Sequence, residues 1–157
     1  MPRPSYKQIA HNDFEEAIDV LLTQEADLMT LASGFWLEQH WKVEWMTTML
    51  AVSAYSEWER FIENLIYAHL CHDTSQLAAT LGLNLPRKMS RDICEAMLTS
   101  RGYLEFRSTS DLIGYCRRWL VSSPFDLLTA AQRQSIDQLR LLRNHIVHKS
   151  RHSETTP

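Results

Sequence analysis

The chain has 157 residues, 45% of them apolar, and a formal charge of −3. That length fits one globular domain with a real core, and the scarcity of Gly (4) and Pro (5) weighs against a turn-rich β-sandwich. Leu, Ala, Met, Glu and Gln are plentiful, so an all-α fold in a single domain spanning 1–157 is expected.

In chain order, Asn12 or Asp13 is placed to cap a first helix to about Ala32, where Phe14, Ala17, Ile18, Leu21, Leu22, Leu28 and Leu31 recur at three- and four-residue spacing. Ser33-Gly34 is its stop. A second helix, the longest, is expected from near Trp36 to about Cys71, with Trp41, Trp45, Met49, Val52, Tyr55, Ile62 and Ile66 on one face. A looser stretch, 73–87, holds a short helix at Ser75 to Leu81 and ends at Pro86. Ser90 then caps a helix through Thr99, and Ser110 one over Asp111 to Val121. Ser122-Ser123-Pro124 interrupts, and Thr129 opens a final helix to about His148, with a polar, fraying tail from about 150.

The amino terminus has no apolar stretch after its basic residue and does not resemble a secretory signal. Uncharged runs such as Trp45 to Ser56 fall short of the ~20 residues of a membrane-spanning helix, so a soluble, cytoplasmic protein without a membrane partner is expected. Cys71, Cys94 and Cys116 lack the close pairing of zinc or redox motifs and read as reduced, packed thiols. Charge is unevenly spread. Residues 1–86 carry −8 and residues 87–157 carry +5, which points a polyanion-facing surface at the C-terminal half.

That half contains Arg143-Asn144-x-x-x-His148. Arginine is a permanent cation whose donor fork matches phosphate oxygens, and histidine exchanges protons near neutrality; RNA phosphodiester cleavage needs both. At ~100° per residue, Ile136, Leu139, Arg143 and Ile146 share a stripe, so Arg143 interrupts an apolar seam. A desolvated cation there requires a carboxylate, a phosphate or an intersubunit cleft. Asn144 and His148, four apart, are able to touch. The plainer alternative is a Leu-rich helix whose basic last turn only complements the helix dipole.

Arg143-Asn144-His145-Ile146-Val147-His148 resembles the signature of the HEPN superfamily, an Arg followed by a polar residue and, four to six residues on, a His. Tyr55-Ser-Glu-Trp-Glu59-Arg60-Phe61-Ile62, Arg101-Gly-Tyr-Leu-Glu-Phe106 and Ser123-Pro124-Phe125 resemble the RiboL-PSP-HEPN branch, so the likeness covers roughly 40–150. The resemblance implies a helical bundle with one long helix and a C-terminal motif helix, forming a homodimer whose motif helices line a composite active site. It further implies metal-independent endoribonuclease activity without a cofactor. Arg143 would then stabilise the transition state, and His148 would act as general base or acid with Asn144 in support. RNA would be cut to a 2′,3′-cyclic phosphate and a 5′-hydroxyl, and DNA spared. Arg140, Lys149 and Arg151 are the candidates for holding RNA phosphates. An antitoxin or regulatory protein is the expected further partner. A catalytically inactive HEPN domain that binds RNA or protein, and an all-α structural subunit with Arg143 in an internal salt bridge, are the alternatives.

Other clusters read more plainly. His69, Cys71, His72 and Asp73 lack further ligands at suitable spacing, and no metal site is assigned. His145 reads as solvated. Glu57, Glu59 and Glu63 form a solvated face or an intramolecular partner for Arg143. The tryptophans, at helical spacing, suit a core or dimer interface better than base stacking.

Overall fold

In the computed structural model, α1 (Tyr6–Gly34) and α2 (His40–His72) form a long antiparallel hairpin, at ~1.5 Å per residue about 43 and 50 Å in length. Four shorter elements fold back on it: α3 (Ser75–Leu81), α4 (Arg91–Thr99), α5 (Thr109–Trp119) and a 3-10 turn at Pro124–Leu127; α6 (Ala130–Ser153) closes the chain. The structure describes residues 5–34, 40–99, 104 and 106–153, excluding the side chains of 31–34, 40, 99 and 148–153. Among the described residues there is no strand, and no helix is long and apolar enough to cross a membrane.

Local side-chain chemistry sets the helix ends. α1 starts before Asn12, because Ser5 supplies the cap: its hydroxyl accepts from Gln8 N at 3.3 Å and its carbonyl from Ile9 N at 3.0 Å. Asn12 instead takes the Gln8 amide at 2.9 Å, one turn along the same face. α3 stops at Gly82, whose φ of 64° lets Leu83 N return to the Ala78 carbonyl at 3.0 Å. α5 is capped by Ser108 rather than Ser110. Ser108 Oγ accepts from Asp111 N at 3.1 Å while Asp111 Oδ2 accepts from Arg107 N at 3.1 Å, a carboxylate version of the capping box that Ser110 has no partner to build. Thr129 and Gln132 make the same reciprocal arrangement ahead of α6, with Thr129 N to Gln132 Oε1 at 2.9 Å and Gln132 N to Thr129 Oγ1 at 3.3 Å. α6 then runs past His148 to Ser153, beyond the expected fraying point.

The core is loaded at one end of the hairpin. Ile62, Ile66, Tyr67 and Leu70 of α2 are buried against Leu77, Cys94, Leu112, Ile113, Cys116, Leu120 and Phe125 from the four following elements. Phe14 stacks on Phe61 at 4.4 Å and meets Trp58 edge-on, joining α1 to this core. Thr74, wholly buried, fastens the α3–α4 connection by donating its hydroxyl to the Pro86 carbonyl at 2.6 Å and its backbone N–H to the Arg87 carbonyl at 3.0 Å. At the other end the expected α1 and α2 faces are covered only in part, with Leu28 buried between the helices and others left open. Leu22 is 55% exposed, Trp41 63% and Trp45 58%, because no short helix reaches that far along the hairpin. Trp58 and Trp119, by contrast, pack on the core.

Candidate functional site

The motif helix lies antiparallel to α2. A small cavity is lined by Tyr55, Trp58, Glu59 and Ile62 of α2 and by Ile136, Asp137 and Arg140 of α6, and Tyr55 also feels the charge of Arg143. Asp137 fixes the rotation of α6. Its carboxylate accepts from Thr109 N at 2.8 Å and from the Thr109 hydroxyl at 3.1 Å, so one residue of α6 satisfies the open amide end of α5. With Asp137 so anchored, Ile136, Leu139, Arg143 and Ile146 are all half-buried, whereas Leu141 and Leu142 point to solvent at 58% and 47% exposure. The stripe read from the sequence is thus the packed side of α6, and Arg143 interrupts it.

Arg143 makes no ion pair among the described residues. Its Nη1 donates to Asn144 Oδ1 at 3.1 Å, which aligns the first two members of the motif side by side. Two acidic residues of α2 are engaged elsewhere. Glu57 stands 2.7 Å from Arg60 in an ion pair without hydrogen-bond geometry, and Glu63 accepts the Tyr67 hydroxyl at 3.0 Å. Glu59 lines the cavity beside Tyr55 and Arg140. Burial, reinforced by Glu59 and Asp137 and opposed by Arg140 and Arg143, pushes the Tyr55 phenol up to about 12, so it faces the two arginines as a neutral hydroxyl.

Arg140 borders this cavity half-buried, with its Nε enclosed and unpaired. His145 is exposed. The backbone of α6 carries His148, Lys149 and Arg151 onward in regular helix, and their side chains lie outside the described residues. Tyr55 and Asp137 were not singled out for the site by sequence reasoning. Tyr55 shares the α2 face with Glu59 and Ile62, a detectable phase, but the Asp137–Thr109 bond joins residues 28 apart and has no local signature.

The cluster at the C-terminal end of α2 disperses. Burial first, then the charges of Lys7 and His72, hold the half-buried His69 down to about 4, and Cys71 Sγ lies 3.9 Å from Cys94 Sγ. Asp73 binds Ser75 N at 2.9 Å and Arg87 at 3.0 Å, and its carboxyl is held at about 2, chiefly by the Ser75 hydrogen bonds. Among the described residues no three metal-ligating side chains come together. No protein-family model matches the chain, and neither the curated proteins nor the solved structures contain a match to it.

Proposed function

We propose that the protein is a metal-independent endoribonuclease of the HEPN type, with Arg143 and His148 as its catalytic residues and Asn144 in support. The observation that carries this reading is the state of Arg143: a half-buried guanidinium in an otherwise apolar stripe, bonded to Asn144 and near a neutral phenol, with no carboxylate paired to it among the described residues. A partly desolvated cation of that kind favours an arriving anion, and a planar donor fork suits a phosphate. An internal salt bridge would have supported the purely structural alternative.

In this mechanism His148 removes the ribose 2′-hydroxyl proton or protonates the leaving 5′-oxygen, and Arg143 stabilises the charge that builds on the phosphorus oxygens. Asn144 steadies Arg143 and binds phosphate or orients His148. A homodimer that brings two motif helices to one cleft supplies one histidine for each role. Lys149 and Arg151 hold flanking phosphates; Arg140, turned toward α2, has the weakest claim to that task. A cytoplasmic toxin–antitoxin, phage-defence or RNA-processing setting, with an antitoxin or regulatory protein as partner, fits such an activity.

The test is incubation of labelled RNA with purified protein in EDTA, comparing wild type with His148→Ala and Arg143→Ala. Cleavage to 2′,3′-cyclic phosphate ends that disappears in both variants, while light scattering still finds a dimer, supports the enzyme. Equal cleavage by all three proteins identifies a contaminant, and a requirement for added metal rejects the mechanism. The second reading, an inactive HEPN domain acting as a binding module, draws on the exposed Trp41, Trp45, Leu141 and Leu142, which suit a protein interface. RNA or protein binding without any cleavage would favour it.

A further inference from the structure

Away from α6, the N-terminal turn of α1 crosses the C-terminal end of α2 and the start of α4, and the three leave a cleft of about 670 Å³. That volume lies within the ~300–1,000 Å³ of small-molecule sites. Its lining includes Lys7 from α1, His72 from α2, Lys88 from the connection and Arg91 from α4, together with Tyr6 and Met89, and no carboxylate among the described residues. His72 lies seventeen positions beyond Tyr55 on α2, so the two are about 25 Å apart along that helix.

The two lysines converge without a paired carboxylate among the described residues, and the acidic side chains near Arg91 are Glu95 and, across the adjoining pocket, Asp13. Lys7 and Lys88 have no ion-pair partner among the described residues, and Asp73, the nearest carboxylate in sequence to His72, is occupied by Ser75 and Arg87. Arg91 is held in place by Asn64 Oδ1 at 2.6 Å and by the Tyr67 ring at 5.5 Å, with Glu95 at the 4.0 Å limit of an ion pair. Like charges gathered from three segments repel one another, and an anion relieves that repulsion. The same positive field reaches the half-buried His69, where Lys7 and His72 add to the effect of burial in keeping the imidazole neutral. α4 begins at the rim: Ser90 O receives Cys94 N at 3.1 Å, so the amides of the intervening first turn have no helical acceptor. Tyr6, 61% exposed, offers an aromatic face beside the cations.

We propose that this cleft binds a small phosphate-bearing ligand, its phosphate groups on Lys7, Lys88 and Arg91 and its organic part against Tyr6 and Met89. The site is independent of the ribonuclease reading. Inorganic pyrophosphate and ADP, titrated calorimetrically into the full-length protein, separate a pure phosphate site from one that also uses the apolar wall. One-to-one binding of either is expected. Lys7→Ala combined with Lys88→Ala should weaken it about tenfold or more, whereas the paired Lys→Arg changes should retain it. Cys71 also lines the cleft, and bound ligand should slow its alkylation by N-ethylmaleimide severalfold, read by mass spectrometry of the Cys71 peptide. Absence of binding at millimolar ligand overturns the proposal, as does equal affinity in wild type and the alanine pair. It is equally overturned if only an RNA oligonucleotide, and neither small phosphate, protects Cys71 in a lysine-dependent way; the cleft would then be part of an RNA track.

Discussion

The two ends of the α1–α2 hairpin are made of similar amphipathic helix yet meet opposite fates. At the end formed by Ile62 to Leu70, side chains from α3, α4, α5 and the 3-10 turn cover α2 until Ile66 and Leu70 have no exposed surface. At the end formed by Trp41 to Met49 the apolar residues are nearly as frequent, but nothing in the described residues covers them on the outer side, and Trp41, Trp45 and Met49 stay open. An apolar stripe therefore records the capacity for burial, while the length and placement of neighbouring elements decide whether burial happens. α6 spans the difference. Its first turns are bound to the packed end through Asp137, and its motif extends toward the open one.

Substitutions should separate these ends by magnitude. Leu112→Ala, deep in the packed end, is expected to lower stability by about 2–5 kcal/mol in urea unfolding. A loss below 1 kcal/mol would mean that this core is looser than its burial implies. Asp137→Ala removes two hydrogen bonds at the α5 terminus, and a loss of about 1–3 kcal/mol is expected, with a further effect on any activity that depends on how α6 is rotated. If Thr109→Ala costs as much and the double variant no more than either single one, the bond itself is the cause.

The pH dependence should come from the packed end. His69 is neutral in the fold, with its pKa near 4 against an ordinary 6.5, so the unfolded chain takes up a proton first as pH falls. The stability tied to neutral His69 is present above 6.5 and is lost as pH falls through 4, and His69→Gln should flatten that part of the profile. At high pH the sign reverses. Cys94 and Cys116 are pushed up to about 12 from 9.0, mainly by burial, so the unfolded thiols ionise first and stability declines from about pH 9 toward 12. Tyr55, raised from 10.0 to about 12, adds to that decline above pH 10, and Tyr55→Phe should reduce it. The smallest effect is expected at the open end: Trp45→Ala should change monomer stability by no more than about 0.5 kcal/mol. A larger loss that grows with protein concentration would show that a second copy covers this face.

Much of the local structure was legible in the sequence. The bounds of α3 and α4 follow from Pro86, Gly82 and Ser90, and α6 opens where Thr129 and Gln132 permit, because capping acts within a few residues. The cap of α5 was misplaced by two positions. Ser108 and Ser110 are the same residue type, and only Ser108 has Asp111 three positions on. Arg143 as the interruption of an apolar stripe was likewise readable from helical phase.

What the sequence by itself determined, then, is the all-α class, the helix boundaries set by short-range caps, and the juxtaposition of Arg143 with Asn144 along one helix. The tertiary structure alone decided which stretch of each stripe is buried, which carboxylates are already engaged, and which cations converge. Asp137 on Thr109, Arg91 on Asn64, and Lys7 beside His72 join residues through three-dimensional packing. Those outcomes depend on how long helices are laid across one another, and helical periodicity carries no information about that crossing.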